Sequence, residues 1–209
     1  NRNKSNNGQK ITAEADGKTF KYEVSLDGQH QAINSLAVIG SLMLSNCDIN
    51  KGLSNLDKIT LPTGRGAKYH LLIKGEKSIL IDDTYNANLG SMIASLHSFH
   101  EIAKINRKVL IFGEMGELGA FSEILHKKLY DYLISFNIDL VVFVGNKTKQ
   151  LYTLCMHVIE CIWVENMNNS SEDIILNLIK PRDCILVKGS RHMKMEIIVK
   201  KILHNFKGK

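Results

Sequence analysis

A polar segment, Asp82 to Asn88 (DDTYNAN), directly follows a run of apolar residues. Neighbouring side chains of a strand point to opposite faces, so at a strand end either Asp82 or Asp83 can face a ligand. A carboxylate placed there can hold ribose hydroxyls, a cation or the ammonium group of a substrate. The competing interpretation is a turn in which Asn88 caps the next helix, because asparagine readily accepts hydrogen bonds from the free N–H groups at a helix start.

A glycine-rich segment, Gly113 to Gly119 (GEMGELG), follows a second apolar run. A strand, a glycine loop and a helix in this order are typical of dinucleotide-binding sites with the spacing GxGxxG, whereas this segment has GxxGxxG. Glu114 and Glu117 would also repel a pyrophosphate at a helix N-terminus. The acidic loop is better suited to an ammonium group or a basic side chain; alternatively, its carboxylates only stabilise a helix start.

Two further segments combine glycine with basic or amide side chains. Lys188 to Arg191 (KGSR) can clamp a carboxylate or a phosphate between its two cations, or Ser190 can simply cap the following helix. Gly28 to Asn34 opens a helix with His30 and Asn34 four residues apart on one face, where planar polar groups can meet a base or a phosphate. The competing interpretation of His30 is a structural histidine.

Two hairpins are predicted in the first part of the chain, after ten polar residues. The first turns at Asp16-Gly17, a dipeptide that favours the positive φ angles of a tight hairpin turn. The second turns across Gly75-Glu76. The predicted strands cover residues 11–15, 18–26, 67–74 and 77–83.

The sequence between these hairpins has a helical period. We expect a helix after Gly28 and, further on, a short helical piece near residues 53–56, which Pro62 and Gly64 end. One face of the first helix is apolar and consists of Ile33, Leu36, Ala37, Gly40 and Leu44.

From residue 79 onward, short apolar runs alternate with helical periods. Such alternation is typical of parallel strands joined by helical crossovers, so we predict a three-layer α/β domain with a mostly parallel sheet from about Ile81 to the end. The predicted strands are 79–81, 109–112, 140–144, 159–164 and 185–187. The predicted helix faces are Met92, Leu96, Phe99 and Ala103; Phe121, Leu125, Leu129, Tyr132 and Phe136; and Met195, Ile198, Ile202 and Phe206.

Composition narrows the class of protein. With 209 residues, 44% of them hydrophobic and 23% charged, the chain is globular. Its apolar runs fall short of the roughly 18 residues that a membrane helix needs. The four cysteines have no metal-site spacing, so we expect reduced thiols and a cytoplasmic protein. The net charge of +6 comes without any nucleic-acid-binding signature, so we expect no nucleic-acid partner. The chain begins at Asn1, and we expect it to be a piece of a longer protein.

Together, the four segments resemble one family, the Mur ligases, in the same order along the chain. The most specific similarity is DDTYNANLGSM at Asp82 to Met92, followed by GEMGELGAFSEILH at Gly113 to His126 and LVKGSRHMKME at Leu186 to Glu196. Within the family, the D-alanyl-D-alanine-adding branch is the most similar. The resemblance extends from about Gly28 to about Val199.

The resemblance implies an ATP-dependent amide ligase of peptidoglycan precursor synthesis. Such a ligase adds D-alanyl-D-alanine to the UDP-N-acetylmuramoyl tripeptide through an acyl phosphate and releases ADP and phosphate. Because the chain contains no GxxxxGK[ST] phosphate-binding loop, we expect residues 1–81 to be the end of the central P-loop-type ATPase domain and residues 82–209 the C-terminal domain. The Mg²⁺ ligands are expected in the missing part, the fragment is expected to be inactive alone, and the protein is expected to be a monomer.

The resemblance also assigns roles to residues. Arg65 would face the ATP phosphates as the catalytic residue, and Asp83 would bind the ribose. Adenine contacts would come from His30, Gln31 and Asn34. Gln31 stands where the family has Asn, and Glu114 stands where it has Asp. The substrate-binding residues would be Tyr85, Asn86, Asn88, Glu114, Lys188, Ser190 and Arg191.

Other functions are compatible with parts of this pattern. A non-catalytic α/β module could bind a small amino-acid-like ligand or a partner protein. The segment from Val109 to Gly119 would suit a nucleotide-dependent oxidoreductase, although its acidic loop argues against that function. Net charge alone would suggest nucleic-acid binding. Within the family, the ligases that add a single amino acid are the nearest alternative.

Overall fold

The computed structural model describes residues 1–5, 8–26, 28–60, 62–104 and 106–206. It divides the chain into two compact units, Asn1–Leu61 and Pro62–Lys209. The family-based boundary between residues 81 and 82 lies later in the chain, inside a strand of the second unit. That boundary stays a prediction about how the relatives' domains divide.

The first unit is a three-stranded antiparallel sheet with two helices. The strands are β1 (Arg2–Ser5), β2 (Gly8–Ala15) and β3 (Lys18–Val24), and the helices are α1 (Gln29–Leu44) and α2 (Ile49–Leu53). The predicted β2–β3 hairpin is confirmed: Asp16 and Gly17 have φ angles of 50° and 70°, as its tight turn requires. Strand β1 lies in the stretch described from sequence only as polar.

Helix α1 buries a face different from the apolar one in its sequence. Ser35 and Ile39 are its buried residues, whereas Ile33, Leu36 and Leu44 of the predicted apolar face are exposed. A serine is tolerated on the buried face because its hydroxyl lies 2.8 Å from the Tyr22 hydroxyl, within hydrogen-bonding distance. Periodicity identified residues that share a side of the helix but did not identify the side that packs in this unit.

The second unit contains a six-stranded sheet. The strands are β4 (Ala67–Ile73), β5 (Glu76–Asp83), β6 (Arg107–Gly113), β7 (Leu140–Val144), β8 (Glu160–Val164) and β9 (Asp183–Lys188). Their order is β4-β5-β9-β6-β7-β8, and every neighbouring pair is parallel except β4–β5. The predicted mostly parallel sheet is therefore confirmed. The β4–β5 turn lies at Lys74-Gly75 rather than Gly75-Glu76, since Lys74 and Gly75 both adopt positive φ.

Helices cover both faces of this sheet and form its two apolar cores. They are α3 (Leu89–Ala103), α4 (Ser122–Lys127), α5 (Leu129–Ser135), α6 (Lys149–Cys155), α7 (Asn169–Leu178) and α8 (Glu196–Phe206). The core on one face includes residues of α3, α5 and α6, and the core on the other face includes residues of α7 and α8. This is the predicted three-layer arrangement.

The predicted helix faces are confirmed for α3 and α8. Met92, Leu96, Phe99 and Ala103 are all buried. Ile198 and Ile202 of α8 are buried, as is Met195 just before it, whereas Phe206 is half-buried. The predicted helix through Phe121 and Phe136 is instead divided between α4 and α5 at Lys128, and Phe121 is 67% exposed. In the part of the chain that the structure describes, no helix is long and apolar enough to cross a membrane.

Candidate functional site

The polar segments identified from sequence follow the carboxyl ends of neighbouring strands. Strands β5, β9, β6 and β7 are parallel neighbours, so their carboxyl ends lie at one edge of the sheet, where ligands of open α/β sheets bind. We call the residues that follow them the β5 loop (84–88), the β6 loop (114–118), the β7 turn (145–148) and the β9 loop (189–193).

A buried ion pair joins β9 to β5 at this edge. The Lys188 Nζ lies 2.8 Å from Asp83 Oδ2 and donates a hydrogen bond to the Asn86 carbonyl at 2.9 Å. The same carboxylate oxygen accepts a hydrogen bond from the Ser95 hydroxyl. Lys188 is only 2% exposed, so its ammonium group fixes the β5 loop and is not free to clamp a ligand.

The two adjacent carboxylates of β5 have different surroundings. Asp82 is 1% exposed and accepts hydrogen bonds from the Thr84 hydroxyl at 2.7 Å and the Thr84 amide at 3.3 Å. Both bonds shape the start of the β5 loop. Asp83 keeps 19% of its side chain exposed. Its contacts with Lys188 and Ser95 are both made by Oδ2, so Oδ1 of Asp83 can reach a ligand.

Glu114 connects the β6 loop to the β7 turn and the β9 loop. Its Oε1 accepts the Lys147 amide hydrogen at 2.9 Å, and its carbonyl accepts the Ser190 amide hydrogen at 2.9 Å. Its Oε2 lies 3.6 Å from His192 Nε2 and 3.9 Å from Lys147 Nζ. Pairing with basic side chains is one of the two roles that the sequence suggested for this acidic loop.

A glycine makes this approach of Glu114 possible. Gly145 has φ 101°, and a Cβ added there would lie 2.5 Å from the Glu114 side chain. Only glycine combines that positive φ with space for the carboxylate. The β7 turn, including Lys147, was not singled out from sequence, although a glycine directly after a buried strand is a signal that could have identified it.

Ser190 joins three loops through one hydroxyl group. Its Oγ accepts the Gly116 amide hydrogen at 2.5 Å and donates to the Ala87 carbonyl at 3.2 Å. Ser190 is 3% exposed and makes no side-chain cap bond to the single 3₁₀ turn that follows it. The capping role that was the alternative interpretation is therefore not observed, and the hydroxyl links the β9 loop to the β5 and β6 loops. The predicted contact of Ser190 with substrate stays a prediction.

His126 of α4 contacts the backbone of the β6 loop. It was not among the site residues selected from sequence. Its Nε2 lies 3.1 Å from the Met115 amide nitrogen, and its Nδ1 lies 2.7 Å from the Ser122 carbonyl oxygen. Burial lowers the pKa of His126 and outweighs the Ser122 carbonyl and Glu114, which both raise it. The signal that could have identified it is its place at the end of the Gly113–His126 segment.

Other candidate residues at this edge reach solvent. The Arg65 guanidinium carbon lies 4.1 Å from the centroid of the Tyr85 ring, and Tyr85 is 45% exposed. The Arg191 side chain is 69% exposed, with its nearest carboxylate, Glu196, at 3.7 Å. Asn86 is also exposed. These side chains can meet a ligand without breaking a buried contact.

Asn88 has the helix-capping role that was the alternative interpretation from sequence. Its side chain accepts the Ser91 amide hydrogen at 2.8 Å, and the Ser91 hydroxyl accepts the Asn88 amide hydrogen at 3.1 Å. This reciprocal pair is a capping box for α3. Its predicted contact with substrate stays a prediction.

The remaining nucleotide candidates belong to the first unit. Gly28, with φ 100°, directly precedes α1. His30 and Asn34 lie in the first turns of that helix and are exposed, and Gln31 is half-buried. Their predicted contact with adenine stays a prediction.

Two side chains at this edge have the chemistry to bind parts of a nucleotide. Arg65 offers an exposed guanidinium for phosphate oxygens, and Asp83 offers a free carboxylate oxygen for a ribose hydroxyl. Among the described residues, no group of three or more His, Cys, Asp or Glu side chains is placed to hold a metal ion.

Comparisons with known proteins identify relatives of this chain. Residues 71–191 match the family model "Mur ligase, glutamate ligase domain". The UDP-N-acetylmuramoyl-tripeptide--D-alanyl-D-alanine ligase of Rickettsia prowazekii is 33% identical over 171 residues, which are 82% of this chain and 37% of that protein. The chain thus spans about two fifths of the length of the curated relatives it matches.

Solved structures show the same fold. A crystal structure of MurF from Acinetobacter baumannii has a TM-score of 0.76 and 22% identity, and the match covers 94% of this chain and 42% of that one. The MurF ligase of Thermotoga maritima in complex with ADP has a TM-score of 0.72 and 20% identity, with 98% of this chain and 46% of that one covered. The family match over more than half of the chain confirms the resemblance seen in its segments: this chain belongs to the Mur ligase family.

Proposed function

We propose that this chain is part of an ATP-dependent ligase that adds D-alanyl-D-alanine to the UDP-N-acetylmuramoyl tripeptide of peptidoglycan synthesis. The names of the curated relatives support this activity. In this proposal, residues 1–81 belong to the central ATP-binding domain and residues 82–209 form the C-terminal domain. The Mg²⁺ ligands belong to the part of the ligase outside this chain.

The observation that carries the proposal is a contrast at the carboxyl edge between buried side chains, which bond to neighbouring loops, and an exposed cation. Lys188, Ser190 and Glu114 are buried and bonded to neighbouring loops, so they hold the loops in place. Arg191 extends from the fixed β9 loop into solvent. An exposed guanidinium on a rigid loop is suited to bind the carboxylate of the incoming dipeptide through charge-assisted hydrogen bonds.

On the nucleotide side, we assign three roles. Arg65, held over Tyr85, would offset negative charge on phosphoryl oxygens, because a guanidinium stays charged and presents several N–H donors in a fixed fork. Asp83 would accept a ribose hydroxyl at Oδ1 while Oδ2 stays bonded to Lys188. His30, Gln31 and Asn34 would contact adenine. When bound, ATP supplies the phosphoryl group that activates the tripeptide carboxylate as an acyl phosphate.

The positioned loops would also protect the activated carboxylate. Closure of the complete ligase over this edge would exclude water from the reactive acyl group, which favours attack by the amine of the dipeptide. Tyr85 and Asn86, on the outer side of the β5 loop, would line the space in which the dipeptide lies.

Amine specificity of the complete ligase tests the proposed function. ADP formation would be measured with the UDP-N-acetylmuramoyl tripeptide as acceptor and either D-alanyl-D-alanine or single amino acids as the amine. We expect turnover only with the dipeptide. Turnover with a single amino acid would assign the chain to another branch of the family, and a complete protein without ATP-dependent turnover would favour the binding-module alternative.

The chain alone gives a second test. We expect no phosphate release from ATP by the 209-residue chain, because the sequence contains no phosphate-binding loop of the GxxxxGK[ST] type. Release above that of an Arg65→Ala control would contradict this part of the proposal.

A further inference from the structure

The two shortest hydrogen bonds of His126 define a single protonation state. The Ser122 carbonyl oxygen can only accept, so the Nδ1 atom 2.7 Å from it must carry a hydrogen. The Met115 amide nitrogen can only donate, so the Nε2 atom 3.1 Å from it must be unprotonated. The described conformation therefore requires the neutral Nδ1–H tautomer. A doubly protonated ring would direct an N–H group at the Met115 N–H group.

Met115 lies between the two residues that connect the loops of the carboxyl edge. Glu114 precedes it and bonds to Lys147 and Ser190. Gly116 follows it and donates its amide hydrogen to the Ser190 hydroxyl. Because Met115 is fully buried and its amide bonds to the imidazole, the ring fixes the backbone from which these connections to the β7 turn and β9 loop arise.

We infer that neutral His126 is a positioning residue, which acts through the Met115 amide to hold the β6 and β9 loops in the geometry that binds the amine substrate. This inference rests on the proposed function for the identity of that substrate. His126 is 1% exposed and touches no ligand itself. Its effect passes from Met115 to Gly116, then to Ser190 and Arg191.

The charged groups around the ring oppose one another. Glu114, in the β6 loop, favours the protonated ring, and Lys147, in the β7 turn, disfavours it. On α4 itself, Glu123 pairs with Lys127 at 2.8 Å on the exposed side of the helix. Burial is the largest influence and lowers the pKa of His126. Protonation below neutral pH would break the Met115 bond and loosen both loops.

Two substitutions separate the two hydrogen bonds of the ring. In His126→Gln, the longer amide side chain can place an acceptor near the Met115 amide, as Nε2 does, but it cannot titrate in this pH range. In His126→Asn, the shorter amide can donate to the Ser122 carbonyl, as Nδ1 does, but it does not reach Met115. Both replacement side chains are amides, and only the glutamine can keep the hydrogen bond with the Met115 amide.

The experiment combines imidazole NMR with dipeptide titrations of the 209-residue chain, from pH 8 down to the pH at which the His126 ring is seen to be protonated. Long-range ¹H–¹⁵N spectra should show a protonated Nδ1 and an unprotonated Nε2 at pH 7.5. The amide resonances of Gly116 and Ser190 should shift together with the His126 titration. The Kd for D-alanyl-D-alanine of the native chain should double at the pH at which His126 is half protonated and rise further below it. It should stay flat for His126→Gln and be high at every pH for His126→Asn.

Each readout can overturn the inference. A protonated Nε2 at pH 7.5, or an acid-side rise of Kd in His126→Gln equal to the native one, would overturn it. So would a native Kd and pH profile for His126→Asn. If the native chain binds no dipeptide at any pH, the amine site of this chain alone is incomplete, and the tautomer together with the Gly116 and Ser190 resonances decides the positioning role. The amine specificity of the complete ligase then tests the proposed function separately. Circular dichroism of both variants identifies a loss of folding.

Discussion

The Arg65 guanidinium lies over the ring of Tyr85, with its carbon 4.1 Å from the ring centroid. The Tyr85 amide also donates a hydrogen bond to the Gly64 carbonyl at 2.8 Å. Together these contacts fix the residues before β4 to the loop after β5. A cation on an aromatic face is held in one orientation while its N–H groups stay free, which suits a side chain proposed to meet phosphate oxygens.

Removing the ring should therefore weaken nucleotide binding through Arg65. We expect Tyr85→Ala to raise the Kd for ADP about two- to fivefold, because exposed cation–π contacts are worth about 0.5–1 kcal/mol. Tyr85→Phe keeps the aromatic face and should bind ADP like the native chain. Calorimetric titration of the 209-residue chain measures both, and equal affinity of the alanine and phenylalanine variants would remove the proposed role of the stack.

The Lys188–Asp83 ion pair should be important for stability. Lys188→Met leaves the Asp83 carboxylate without its cation at a largely buried position, and removal of one partner of a buried pair costs about 3 kcal/mol or more. Urea denaturation should show a clearly lower midpoint. The matched control is Arg182→Gln, which breaks the exposed Arg182–Glu76 pair and should change the midpoint little. Similar midpoints for the two variants would show that Lys188 is not structural.

Close packing of two strand ends should make Gly189 sensitive to a single methyl group. A Cβ at Gly189 would lie 2.8 Å from Met195 Cγ and 3.0 Å from the Gly113 Cα. We expect Gly189→Ala to reduce the free energy of unfolding by about 1–3 kcal/mol, as overpacking does.

The control for this prediction is Gly40→Ala. A Cβ at Gly40, inside α1, meets no atom within 4 Å. The substitution should raise stability by about 0.5–1 kcal/mol, because alanine favours helix more than glycine does. A stabilised Gly189→Ala variant would contradict the described approach of β6 and β9.

His126 should also make the stability of the fold depend on pH. Burial lowers the folded-state pKa of His126 below its ordinary value near 6.5, so the folded state binds fewer protons than the unfolded state between these two pKa values. Its stabilising effect is complete above about pH 6.5 and is lost as pH falls toward the folded-state pKa. The difference in unfolding free energy between the native chain and His126→Gln should therefore shrink on acidification. A pH-independent difference would contradict this assignment.

The sequence predicted the sheet and most of its covering helices well. Strand β7 was predicted at the observed limits, 140–144, because a short apolar run between turn signals has few alternatives. The buried face of α3 follows directly from its period. The prediction failed for α1, where both sides carry apolar residues and tertiary packing with Tyr22 decides which one is buried.

Side-chain roles at the candidate site were harder to predict than the elements. Lys188 looks in sequence like half of an anion clamp, yet it is paired with Asp83, a partner more than one hundred residues away. Sequence spacing carries no information on such a contact, because strand order places β9 beside β5. His126 was missed for a similar reason. Its partner is the backbone amide of Met115, and because almost every residue has such an amide, the residue types do not reveal this bond.

The central claim is that the β9 loop presents Arg191 to the carboxylate of D-alanyl-D-alanine. Arg182 and Arg191 lie beyond opposite ends of the same strand and both are exposed, so Arg182→Gln is a matched control for Arg191→Gln. The deciding measurement is the Kd for D-alanyl-D-alanine of the 209-residue chain and these two variants.

We predict that Arg191→Gln raises this Kd about tenfold, as expected for loss of a charge-assisted hydrogen bond at an exposed site, and that Arg182→Gln leaves it unchanged. Native affinity in Arg191→Gln, or equal weakening in both variants, would contradict the account.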